Sequence, residues 1–139
     1  MPFIFNWHDQ DQTIIRIDIV GQVSWDEYGI VTDRIVDELA KVNHRVDVIY
    51  NDKVGMPKGN PMPHLKANLA RIATYKNLGV MCSVSSRSVS SFAKIMIEIM
   101  MRAYNIDNTH SGGFVTTMEE ALAIIEKSRA SEKASMQTH

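Results

Sequence analysis

The chain of 139 residues is long enough for one domain with a proper core, and an apolar content of 45% is ordinary for a globular protein. A net charge of -1 argues against nucleic-acid binding, and the lone Cys82 excludes an internal disulfide framework and suits a reducing cytoplasm. No apolar run approaches the roughly 20 residues of a spanning helix, and no basic-then-apolar leader opens the chain, so neither a membrane nor a signal peptide is expected.

Residues 2–7 and 13–20 are apolar segments separated by His8-Asp9-Gln10-Asp11-Gln12, and Ile15, Ile17 and Ile19 alternate with Arg16 and Asp18. Such alternation marks a strand with one wet face, so the two segments predict a β-hairpin. Gly21 breaks the second strand. Ser24-Trp25-Asp26-Glu27 then has the form of a capping box, in which hydroxyl and carboxylate satisfy the free amides of a helix start. The following helix, to about residue 42, sets Tyr28, Val31, Ile35, Leu39 and Val42 on one side.

Residues 46–50 read as a buried strand, and 51–63, with two Gly and three Pro, as a stiffened loop. A helix over 64–77 turns Leu65, Leu69, Ile72 and Ala73 inward, and Gly79 precedes a strand over 80–84. The Ser-rich turn 85–91 leads into an apolar helix over 92–104. Beyond Gly112 and Gly113 come a strand over 114–116, a Thr117-x-x-Glu120 capping box and a last helix to about residue 130. Residues 131–139 are expected to form a disordered tail. The order ββαβαβαβα predicts a single α/β domain over 1–130, with a mostly parallel sheet, an antiparallel edge strand and flanking helices.

This order spans nearly the whole chain. With Gly113-Phe114-Val115-Thr116-Thr117-Met118-Glu119-Glu120-Ala121-Leu122 behind the 92–104 helix, it resembles the STAS-like domain, the fold of bacterial anti-sigma-factor antagonists. A class of lipid-binding domains shares that fold. The resemblance implies a non-enzymatic regulatory or protein-interaction domain. In the family, a loop carrying Asp-Ser-Ser-Gly precedes the second helix, and its first Ser is the phosphorylation switch that controls binding to a partner kinase. Lys58-Gly59-Asn60-Pro61 stands at that place here, and none of these residues has a hydroxyl. Binding is implied without the usual phosphorylatable Ser.

Three segments are candidate sites. The 51–63 loop follows a strand's carboxyl end, where open α/β sheets place ligands, and it offers Asp52, Lys53, Lys58 and Asn60, with His64 just beyond and Met56 for apolar contact. Set against this is a plain proline-stiffened connection with solvated charges. The second segment, Ser85, Ser86, Arg87, Ser88, Ser90 and Ser91, lies where a helix begins. It is a candidate anion or phosphorylation site, against the simpler reading of turn and cap chemistry. Third, the 92–104 helix carries Ile97, Met100, Met101 and Tyr104 outside its core stripe, which suggests an interface with another subunit, a target protein or an apolar ligand.

Catalysis has less support. Cys82 sits within a strand and reads as core, and His8, His44, His64, His110 and His139 lack metal-ligand spacing. With neither a Gly-x-Ser-x-Gly elbow nor a nucleotide-binding loop, no enzyme activity, metal or cofactor is expected. The expected protein is a cytoplasmic homodimer with a protein partner, and a small apolar or anionic ligand is a further candidate. The alternative is a carrier or sensor of a small molecule or lipid-type ligand, held in an apolar pocket.

Overall fold

A computed structural model describes residues 2–54, 62–85 and 113–137 of the chain. β1 (Phe3–Trp7) and β2 (Ile14–Ile19) form the expected antiparallel hairpin, with Phe3 opposite Ile19 and Trp7 opposite Ile15. Its turn is built by Asp9. One carboxylate oxygen accepts from Thr13 N–H at 2.9 Å and Ile14 N–H at 3.0 Å, and the other from the Thr13 hydroxyl. Gln12 takes a left-handed backbone, φ 56°, to complete the reversal.

From β2 the chain crosses through α1 (Trp25–Lys41) to β3 (Val46–Asp52), through α2 (Met62–Ile72) to β4 (Leu78–Ser85), and later reaches β5 (Gly113–Val115) and α3 (Met118–Gln137). The sheet order is β1-β2-β3-β4-β5, and every pair except β1–β2 is parallel. The fold is thus α/β, and the described residues form a mostly parallel five-stranded sheet with an antiparallel edge strand. No helix among the described residues is long and apolar enough to cross a membrane.

Strand alternation divides the interior into two layers. Ile15, Ile17 and Ile19 of β2 and Val46 and Val48 of β3 face one side, against Val31, Ile35 and Leu39 of α1 and Leu69 and Ile72 of α2. Ile14, Ile49, Val80, Cys82 and Val84 face the other, against Ala121 and Ile125 of α3. Each fully buried Ile contributes on the order of 1.5–3 kcal/mol, so among the described residues the first layer supplies the larger share of the hydrophobic stabilisation. The capping box forms as read. Ser24 Oγ accepts from Glu27 N–H at 3.2 Å, and the Glu27 carboxylate accepts from Ser24 N–H at 3.1 Å.

Three expectations are corrected. α2 begins at Met62 and ends at Ile72 rather than spanning 64–77. Pro63 is tolerated in its first turn, and residues after Ile72 close into turns, Tyr75 N–H bonding Ile72 O at 3.1 Å and Leu78 N–H bonding Tyr75 O at 3.3 Å. The Asn77 amide then serves α1, donating to Leu39 O at 3.0 Å, Val42 O at 3.1 Å and His44 O at 3.3 Å. At α3, Thr117 Oγ1 caps Glu120 N–H at 3.2 Å, but the Glu120 carboxylate reaches back to Thr116, accepting from its hydroxyl at 3.0 Å. Finally, the 131–139 tail read as disordered is helical through Gln137. No Gly or Pro interrupts that stretch, and Glu132 is held by Arg45 at 2.5 Å.

Candidate functional site

The parallel strands β2, β3 and β4 end in one row. Asp52 lies in register with Ile19 on one side and with Ser85 on the other. Both polar residues are buried, Asp52 at 8% exposure and Ser85 at 5%, unusual for groups at the mouth of a sheet. The Asp52 carboxylate accepts from Val54 N–H at 3.0 Å, and Lys53 N–H bonds Ile19 O at 3.2 Å, so the chain turns tightly as it leaves β3. Lys53 itself is exposed.

An aromatic wall stands beside this row. Tyr28, one turn into α1, packs edge-on against Phe3 at 5.4 Å between centroids, and it sits 5.3 Å from Trp25 and 6.3 Å from Tyr50. Trp25 stacks flat on His64 of α2 at 5.3 Å with an interplanar angle of 2°. This contact joins the amino ends of α1 and α2 above the sheet. Burial raises the Tyr28 hydroxyl far above its ordinary range, with the nearby Asp52 carboxylate and Tyr50 adding to the shift. Burial does the same to Tyr50. Both phenols therefore stay neutral at physiological pH and contribute to the wall as packed rings.

Of the residues singled out from sequence, Asp52, Lys53, His64 and Ser85 lie at this end of the sheet, with Asp52 and Ser85 in direct register. Met56, Lys58 and Asn60 of the loop, Ser86, Arg87, Ser88, Ser90 and Ser91, and Ile97, Met100, Met101 and Tyr104 lie outside the described residues. Trp25, Tyr28 and Tyr50 were not anticipated as site residues. Trp25 directly follows a helix cap and Tyr50 directly precedes Asn51-Asp52, which places aromatic rings at both elements' site-facing ends. Cys82 is buried in β4, and no group of three or more His, Cys, Asp or Glu among the described residues is placed to hold a metal ion.

The opposite end of the sheet carries a charge cluster of another kind. The Asp47 side chain is fully buried, and its Oδ1 accepts from Arg45 Nη2 at 2.9 Å and Val80 N–H at 2.7 Å. Its Oδ2 accepts from Arg129 Nε at 2.8 Å, while Arg129 Nη2 also reaches Thr13 O at 3.0 Å. Burial opposes the Arg45 charge, but Asp47 and Glu132 outweigh that effect and raise its pKa. With its lone pairs engaged by the protein, Asp47 is a structural group that ties α3 to the sheet. Comparison with protein-family models, with curated proteins and with solved structures finds no match to this chain.

Proposed function

We propose that this chain is a non-enzymatic, STAS-like regulatory domain that binds a protein partner at the carboxyl end of its parallel strands. The observation that carries the reading is the juxtaposition of buried Asp52 and Ser85 in adjacent strands, beneath the Trp25–His64 stack. Ligand sites of open α/β sheets occupy this position, and an aromatic wall beside a few polar groups suits recognition. Support in the fold comes from the mostly parallel α/β sheet with an antiparallel first edge. Regulation by a phosphorylated loop Ser is excluded from the proposal, because residues 51–63 contain neither Ser nor Thr.

A partner-capture comparison tests this directly. The immobilised wild-type chain is expected to retain a protein from its native host that a Lys53→Glu/His64→Ala variant loses, both side chains being exposed at the rim. Retention of the same proteins by both chains counts against the reading. The aromatic wall also suits the second reading, a carrier of a small apolar molecule, since such rings line ligand pockets. Native mass spectrometry separates the two: a carrier leaves gentle purification with a bound ligand mass, and an interaction domain does not.

A further inference from the structure

The outer edge of β1 presents backbone groups in a definite order. Val20 N–H donates to Pro2 O and His8 N–H to Ile14 O, each at 2.8 Å. In the β1–β2 register, these bonds turn the amides of residues 4 and 6 toward β2 and those of Phe3, Phe5 and Trp7 away from it. β1 stands last in the sheet, and among the described residues no strand pairs with this edge. Natural edges are blunted by charges, prolines or bulges. Phe3–Trp7 has no charged residue and no proline, and its register with β2 is continuous.

A second observation points to the same place. Among the described residues the exposed large hydrophobic side chains are Ile4, Val20 and Ile30, each about half exposed. Two of them border the β1 edge, while Val20 lies on the inner, β2 side, bonded to Pro2. Ile4 belongs to β1 itself. Ile30 lies one turn before Arg34 on α1, and the Arg34 guanidinium sits 4.2 Å from the centre of the Phe5 ring. The side of α1 that carries Ile30 therefore overhangs β1.

We propose that two copies of this chain associate through β1, strand against strand and antiparallel, about a two-fold axis at Phe5. This register alone uses the whole strand. Phe3 lies opposite Trp7 of the second copy, Phe5 opposite its counterpart and Trp7 opposite Phe3, so the three outward-facing pairs exchange about six backbone hydrogen bonds. Aromatic side chains meet on the α1 face of the seam, and Ile4 meets Asn6 on the opposite face. No like charges stand opposite each other along the strand. A second copy is the fitting occupant because the strand is its own complement in this register. The Ile30 sides of the two α1 helices are brought toward the same seam.

Light scattering on the full chain across a concentration series, together with cross-linking, tests the contact. The wild type is expected to dimerise in roughly the micromolar range, and Ile4→Glu or Ile30→Glu, at exposed positions, to raise the dissociation constant at least about tenfold with an unchanged circular dichroism spectrum. Ile4 and Asn6 of opposing copies form a pair without mutual backbone bonds, with Cα atoms about 4.5 Å apart, within disulfide range. Mixed Ile4→Cys and Asn6→Cys chains are therefore expected to cross-link under mild oxidation, while Ile4→Cys chains alone do not. Cys82 is buried and stays out of the reaction. A monomeric wild type, or mixed chains that fail to cross-link, overturns the proposal.

Discussion

Arg129, on the last helix, closes on the carboxylate of Asp47 at the start of β3, its Nη2 2.7 Å from Oδ2. The two residues are far apart in the chain, and the ion pair is buried on the Asp47 side and partly open on the Arg129 side. Buried pairs of this kind contribute little over an apolar substitute, yet breaking one is costly because a buried charge is left alone. Asp47→Ala removes the carboxylate shared by Arg45 and Arg129 and leaves the Val80 amide without its acceptor, and is expected to lower stability by about 3 kcal/mol. Urea unfolding measures this. The double variant with Arg129→Met is expected to cost clearly less than the sum of the two single changes.

Gly79 packs against the same cluster. A Cβ there would overlap Asp47 Oδ1 and Arg45 Nε and lie 2.9 Å from Arg45 Cζ. Its Cα hydrogen is the only group that fits beneath this ion pair. Gly79→Ala is expected to destabilise by about 1–3 kcal/mol, the usual cost of forcing extra volume into a packed site. Gly29→Ala is the contrast: a Cβ there meets nothing within 4 Å, and Ala is the better helix former in α1, so this change should raise Tm.

Ser24 tests the capping box in isolation. Its side chain and that of Glu27 satisfy each other's backbone amides at the start of α1, in an exposed position. Ser24→Ala is expected to cost about 1 kcal/mol in chemical denaturation, and Ser24→Asp to recover most of it.

The hairpin turn supplies a pH dependence. Burial alone would raise the Asp9 pKa, but bonds from the Thr13 hydroxyl, the Thr13 amide and the Ile14 amide outweigh it and hold the carboxyl below its ordinary 3.8. A group with a depressed folded pKa contributes stability above its unfolded value and loses it as pH falls through the folded one. The stability difference between wild type and Asp9→Ala should therefore be full at neutral pH and shrink as pH drops below 3.8. Denaturation midpoints across that range provide the check. A constant difference would contradict the assignment.

Elements whose signals are local were legible from the chain. The alternation of Ile15, Ile17 and Ile19, the Ser24–Glu27 box and the spacing of Val31, Ile35 and Leu39 each report on a single strand or helix, and each is found in its expected place. What escaped depends on contacts distant in sequence. α2 stops early because the turn after it positions Asn77 to serve the carbonyls of α1, and α3 runs on where Glu132 meets Arg45. An Asp between Val46 and Val48 in a buried strand was a readable hint of an ion pair, but nothing nearby in the chain named Arg129 as a partner. The candidate site was half legible for the same reason. Asp52 and His64 were singled out through their loop, whereas the rings of Trp25, Tyr28 and Tyr50 come together only when α1 lies over the sheet.

The crowding at Gly79 makes its intolerance of a side chain conditional on another position. Removal of the Asp47 carboxylate removes the nearest obstacle and loosens the Arg45 guanidinium, which keeps its bonds to Glu132 and Ser128. In an Asp47→Ala background, Gly79→Ala should therefore cost clearly less than it does in the wild type. Substitution at 79 becomes permissible only after loss at 47, and reversion at 47 is then blocked by the new methyl group. Such order-dependence is epistasis with a steric origin, and it would make these two positions change together among descendants of this chain.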